Sequence, residues 1–236
     1  MKVKADLHTH TIVSGHAYSS MQEMAKAASK MGIELLGITE HGPAIPGTCN
    51  EIYFTNMHVV PREMYGVRLM LGCEINILDN DGTLDVSERT MNSLDIRIAG
   101  IHDVCWRGGT KDENTAGLIK VMRDPRIQII SHPADGTALL DMEALVKVSK
   151  ETRTVLEVNN HSLSPARTKR ILAEPNNTEL LRLCRKYEVP VLLGSDAHIS
   201  FQIADYARIA PLLQATDFPD ALILNYDIPR LLSYLK

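Results

Sequence analysis

At 236 residues, with 25 Lys and Arg against 29 Asp and Glu and a formal net charge of −4, the chain is long enough to bury a full core without a covalent staple. Its 44% hydrophobic and 23% charged residues exclude a disordered chain, and the acidic balance lacks the basic footprint of a protein that grips extended nucleic acid. No apolar run approaches the roughly 18 residues of a membrane span. The start, Met1-Lys2-Val3-Lys4-Ala5-Asp6, carries no apolar secretory segment, and Cys49, Cys73, Cys105 and Cys184 are scattered without a CxxC pair, so a reducing cytoplasm is the expected location.

In chain order, seven short apolar runs read as strands: Val3–Leu7, Leu35–Thr39, Val67–Cys73, Ile96–Ile101, Ile127–Ser131, Val155–Val158 and Val189–Leu193, the last limited by Pro190. Helical spacing lies between them. Ser20 and Glu23 predict a capping box, with Met21, Met24, Ala25, Ala28 and Met31 on one face before Gly32 stops the helix. Asn80-Asp81-Gly82 predicts the turn of a small hairpin within Ile75–Asp85. Thr115–Met122, Met142–Val148 and Gln202–Leu213 read as helices. A further helix opens at Asn177 with Leu180, Leu181, Cys184 and Tyr187 inward, and Pro229 sits near the start of a terminal one carrying Leu231, Leu232 and Leu235. Strand and helix alternate with no linker, so the expectation is one domain, residues 1–236, built on a parallel sheet with crossover helices.

Polar residues gather at the strand ends: His8 and His10, Glu40 and His41, Glu74, His102, His132, Asn159-Asn160-His161, and Asp196 with His198. In a parallel barrel these ends share one face, where active sites are built. Seven of the nine histidines, with His16 among them, fall at or just after a strand end. Histidines converging with carboxylates are the composition of a metal site. In His8-Thr9-His10, alternate side chains of an extended strand point the same way, so both imidazoles reach one ion. The donor set exceeds the needs of one tetrahedral ion, which implies two or three. Imidazole favours Zn²⁺, while the carboxylates also accept Mn²⁺ or Fe²⁺.

Asp6-Leu7-His8-Thr9-His10-Thr11, Ile38-Thr39-Glu40-His41-Gly42, Gly72-Cys73-Glu74, Gly100-Ile101-His102, Ile130-Ser131-His132-Pro133 and Gly194-Ser195-Asp196-Ala197-His198 together resemble the polymerase and histidinol phosphatase (PHP) family. His16-Ala17-Tyr18-Ser19, Glu157-Val158-Asn159-Asn160 and Leu224-Asn225 through Pro229-Arg230-Leu231-Leu232 are similar to its YcdX-type phosphatases. The resemblance implies a distorted (β/α)7 barrel, TIM-barrel-like, with three divalent ions. Carried onto this chain, one ion takes His8, His10, Glu74 and Asp196. A second shares Glu74 and adds His102 and His132, and the third takes His16, His41 and His198. Glu40 departs from the aspartate usual in T-D-H-G; that position is not a ligand in the family pattern.

Such a site suits hydrolysis of a small phosphate monoester by a metal-activated hydroxide generated at the pair of ions sharing Glu74, with Asp196 and His198 as candidates for protonating the leaving oxygen. No nucleophile elbow, P-loop or GxGxxG competes with that reading. Arg167 is the first candidate phosphate clamp, followed by Lys111 and Arg107; His161 is expected to be a loop histidine, and Cys73 and Cys105 small apolar residues. The alternatives are a PHP phosphodiesterase or exonuclease, a barrel holding its metals for structure only, and an amidohydrolase-type barrel, whose bridging lysine is replaced here by Glu74 and His102. Neither a membrane nor extended nucleic acid is an expected partner, and the sequence is compatible with a homo-oligomer.

Overall fold

The structure, a computed structural model, describes residues 2–166 and 171–235. In chain order the elements are β1 (Ala5–Asp6), α1 (Met21–Met31), β2 (Leu35–His41), α2 (Glu51–Thr55), β3 (Glu63–Met64), β4 (Val67–Asn76), α3 (Glu88–Ser93), β5 (Ile96–Gly100), α4 (Lys111–Met122), β6 (Ile129–Ile130), α5 (Met142–Thr152), β7 (Val155–Asn159), α6 (Ala173–Tyr187), β8 (Val191–Gly194), α7 (Ala210–Ala215) and α8 (Ile228–Tyr234). Seven strands run parallel in the order β1-β2-β4-β5-β6-β7-β8, forming a nearly closed barrel as expected. β3 pairs antiparallel with β4 through Tyr65-Gly66, whose φ values of 54° and 76° make the tight turn; Glu63-Met64 carries no apolar run and gave no strand signal.

Side-chain alternation divides the core. Ile38, Leu71, Cys73, Ala99, Leu156, Val158 and Leu193 belong to a large cluster shared with the helices. Leu35, Met70, Ile96, Ile98, Ile129, Val155 and Leu192 form a second cluster in the lumen, joined by Leu231 and Leu235 from the α8 end of the chain. On β7, Val155, Glu157 and Asn159 therefore share the inner face: apolar at the bottom, polar toward the C-terminal rim.

The Ser20–Glu23 capping box forms and Gly32 ends α1 at φ 74°, but Met31 is exposed, so the buried face is Met24, Ala25 and Ala28. Ile77 and Leu84 bridge antiparallel in the predicted hairpin. α6 begins at Ala173, a turn before Asn177, whose buried amide donates to the Ala173 and Ala134 carbonyls instead of capping the helix. The helix expected over Gln202–Leu213 is broken by left-handed Ala204 at φ 55°, whose N–H bonds Asp6 Oδ2 at 2.9 Å; only Ala210–Ala215 is α-helical. No helix among the described residues is long and apolar enough to cross a membrane.

β1 and β8 do not pair as strands; two devices close the seam between them. At the C-terminal rim, Asp196 N–H donates to His8 O and His10 N–H to Ala197 O, at 3.0 and 2.9 Å. Lower down, the buried Asn225 amide replaces the missing ladder. Its Nδ2 donates to Ala5 O and Leu193 O at 2.9 and 2.8 Å, and its Oδ1 accepts Leu193 N–H at 2.7 Å. Asn225→Leu strands these buried groups and is expected to cost about 3 kcal/mol, lowering Tm by roughly 6–12 °C by calorimetry. An unchanged Tm would show that the seam closes without this amide.

Candidate metal centre

The parallel register delivers all nine sequence-predicted ligands to one rim. His8 and His10 follow β1, His41 ends β2, Glu74 lies near the end of β4, His102 follows β5, His132 follows β6, and Asp196 and His198 follow β8. All are buried; His16, in the loop beyond β1, is exposed. His132 and Asp196 are held at φ 32° and 54°, left-handed conformations that side-chain-bearing residues adopt at a cost and that concentrate at functional sites.

Around His8 Nε2 and His10 Nε2, 3.1 Å apart, stand Glu74 Oε2 at 3.3 and 3.4 Å and Asp196 Oδ1 at 3.7 and 3.2 Å. A tetrahedral zinc with bonds of about 2.0–2.1 Å spaces its donors about 3.3–3.4 Å apart; His8, His10 and Glu74 lie close enough together to share an ion, and Asp196 Oδ1 stands beside the two imidazoles. The other carboxylate oxygen, Glu74 Oε1, faces His132 Nε2 at 2.8 Å and His102 Nε2 at 3.3 Å. The His16 ring lies 4.9 Å from those of both His41 and His198, centroid to centroid. His41 also turns Nδ1 to Glu74 Oε2 at 2.8 Å, so the donors form one continuous cluster rather than separate pockets.

Six of the nine buried side-chain polar atoms that make no well-formed hydrogen bond among the described residues belong here, close though they lie to one another: His41 Nδ1, Glu74 Oε2, both ring nitrogens of His102, Asp196 Oδ1 and His198 Nε2. Buried polar atoms are normally paired. Lone pairs left this way and converging on one another fit divalent cations.

The far sides of the rings are anchored. Ser14 Oγ donates to Glu40 Oε2 at 2.7 Å, which leaves it to accept from His10 Nδ1–H at 3.0 Å and His41 N–H at 3.1 Å; His10 is thereby fixed with its Nε2 lone pair facing the centre. Glu40 therefore acts through Ser14. His198 Nδ1 and His16 Nδ1 lie 2.9 and 3.0 Å from the backbone carbonyls of Asp196 and Ser14. His8 Nδ1 lies 2.7 Å from Glu157 Oε1. Ser14 and Glu157 were missed as members of the site. Ser14 lies in the loop beyond β1 and Glu157 in the middle of β7; their partners come from other elements, and neither forms a ligand-spacing motif.

Charge in the cluster follows burial and neighbours. Burial holds His10, His41 and His102 below the usual imidazole range, neutral and able to donate a lone pair. Burial also opposes a charge on His8, but Glu157, Glu74 and Asp196 overcome it and hold that proton well above the ordinary range. Burial would raise Glu74 and Asp196, yet the positive charge on His8, first among their neighbours, holds both carboxyls well below theirs.

The cluster opens into a cleft of about 330 Å³ lined by His16, His41, His102, His132, Asp196 and His198, with Ile45, Pro46, Asp103 and Val104. Among the described residues its lining holds no lysine or arginine: Lys111 is exposed at the start of α4, and Arg107 is exposed, its backbone forming a parallel β-bridge with that of Asp79. Arg167 lies outside the described residues. The His161 ring stacks on that of His198 with centroids 5.1 Å apart, closer to the centre than a plain loop histidine. Cys73 is buried and Cys105 half-buried, and burial pushes both thiols up, that of Cys105 to about 11.

The family model of the PHP domain matches residues 6–184. The chain belongs to the PHP domain family. It is 44% identical to a probable phosphatase of Clostridium novyi and 42% identical to one of Acetivibrio thermocellus, in both cases over all of this chain and 96% of the relative. Two solved structures share the fold. One is a putative histidinol phosphatase of Listeria monocytogenes, with TM-score 0.60, 15% identity, and 86% of this chain and 98% of that one covered. The other is a histidinol phosphate phosphatase of Lactococcus lactis complexed with zinc, L-histidinol and phosphate, with TM-score 0.59, 16% identity, and 92% and 94% covered.

A proton on His8 Nε2 and a cation compete for the same lone pair. Zinc uptake near pH 7 is therefore expected to release a proton, and affinity is expected to fall as pH is lowered. Calorimetric titration in two buffers of different ionisation enthalpy checks this; identical heats in both would contradict it.

Proposed function

We propose that this PHP protein is a phosphatase that hydrolyses small phosphate monoesters to an alcohol and inorganic phosphate at a centre of three divalent ions. The observation that carries the reading is the convergence of buried donor atoms of His41, His102, Asp196 and His198, lining an open cleft, on the carboxylate of Glu74 beneath them. In this reading His8, His10, Glu74 and Asp196 hold the first ion, Glu74, His102 and His132 the second, and His16, His41 and His198 the third. The imidazole-rich donor set favours zinc over manganese or iron(II); zinc in the Lactococcus protein supports that choice, and its phosphate and L-histidinol support a small phosphorylated alcohol. When bound, such ions lower the pKa of coordinated water and draw charge from phosphoryl oxygens. Glu74 supplies a carboxylate oxygen to each of two sites. Asp196, held ionised, could take a proton from the attacking water and pass it to the departing oxygen, and His198 is the other candidate for protonating that oxygen. Arg167 is the proposed clamp on the phosphate.

Elemental analysis of protein purified without chelator is expected to approach three ions per chain, and an aryl phosphate to be cleaved in preference to a bis-aryl phosphate. A fully loaded protein with one ion, or preference for the diester, would overturn the corresponding part of the reading. Glu74→Gln is expected to lose at least one ion and roughly 10²-fold or more in kcat. Arg167→Ala is expected to keep its metal and lose roughly 10–100-fold in kcat/KM, with weaker inhibition by inorganic phosphate; unchanged kinetics would make Arg167 a surface charge.

A further inference from the structure

One carboxylate in the lumen touches this centre without facing the cluster of donor atoms. Glu157 is fully buried on the inner face of β7. Its Oε1 lies 2.7 Å from His8 Nδ1. Its Oε2 accepts the backbone N–H of His132 at 2.8 Å and Asn159 Nδ2 at 3.0 Å. Asn159 is oriented unambiguously, because its Oδ1 accepts from Ser162 N–H at 2.9 Å; the same Nδ2 therefore also reaches Asp196 Oδ2, at 3.4 Å. His132 and Asp196 are the two ligands with left-handed backbones, and both are tied to this network.

We propose that Glu157 is a positioning residue that couples the first and second ion sites: one oxygen fixes the tautomer and direction of His8, while the other holds the backbone that aims His132. The inference rests on the metal reading above. A carboxylate is required because both oxygens must accept. An amide at 157 satisfies either His8 Nδ1–H or His132 N–H, but the oxygen it gives to one places an NH₂ against the other. If the NH₂ faces His8, the ring must accept at Nδ1 and carry its proton on Nε2, where the lone pair for the ion is needed.

The space for this carboxylate is made by the neighbouring strand. Asn159 pairs with Gly194 across β7 and β8. A Cβ at 194 would lie 1.7 Å from Glu157 Oε1 and 2.5 Å from Cδ. Gly194 thus reads as a steric requirement of Glu157, since its φ lies outside the left-handed set.

The test is titration of the full chain with Zn²⁺ against a chromophoric chelator, together with ¹⁵N NMR of the His8 ring in the zinc-loaded protein. Glu157→Gln is expected to weaken zinc binding by roughly 10–100-fold at one or more sites and to perturb the His8 tautomer signature. Gly194→Ala is expected to do the same by displacing the carboxylate, and it carries the measurement should Glu157→Gln fail to fold. Adding Gly194→Ala to Glu157→Ala is expected to cost little more than Glu157→Ala alone, because the clash has been removed. Parental zinc affinity and an unchanged His8 signature in folded Glu157→Gln, or additive losses in the double variant, would overturn the coupling. A parent that takes up no zinc would overturn the metal reading itself, and this inference with it.

Discussion

The constraint on which this molecule depends is the burial of negative charge. Glu74 has no solvent exposure, and Asp196 and Glu157 stand near it in the same rim of the barrel. Removing carboxylates from water is expensive unless opposite charge and hydrogen bonds replace the solvent. The rings packed around Glu74 are mostly neutral, because burial disfavours their protonated forms. A single proton held on His8 offsets only part of the charge. The remaining demand is for cations, and the unpartnered donor atoms mark where it is felt. The same electrostatics make ligand binding a contribution to folding stability, since a group that binds only the folded form stabilises it.

This arrangement accounts for what could be read from the sequence. Ligands at strand ends are legible because a parallel barrel converts position along each strand into position on one rim, and because His8-Thr9-His10 obeys strand alternation. The supporting residues are less legible. Ser14 serves His10 and His41 by accepting two N–H groups and donating to Glu40, an arrangement that exists only once the loop after β1 lies against β2. Glu157 and Asn159 lie in a run that reads as an ordinary strand end, and their significance comes from β6 and β8 on either side. Besides the family-like run Glu157-Val158-Asn159-Asn160, their sequence signal is acidic and amide residues at alternate positions on the inner face of a strand whose first inner residue is apolar.

The departures in secondary structure share a cause. Asn177 has the composition of a cap but is used inside α6, where its amide reaches the Ala134 carbonyl across the fold. Gln202–Leu213 has helical spacing, but the demand of buried Asp6 for the Ala204 N–H turns the chain left-handed there. Local pattern specified the parts wherever apolar burial dominated. Long-range hydrogen bonding to a buried polar group overrode it elsewhere.

The seam between the first and last strands carries a consequence for synthesis of the protein. Asn225 joins Ala5 across a separation of 220 residues, and Ser195 bonds Asp6 across 189. A chain growing from its N-terminus therefore displays His8 and His10 on the ribosome long before Asp196 or Asn225 exists. Contacts of such high sequence separation form late, after the cost of closing the intervening chain has been met. A nascent or stalled polypeptide that has not reached Asp196 and His198 offers an incomplete donor set. The complete donor set arises only when the ring of strands shuts, so the site is complete only in molecules that have finished folding.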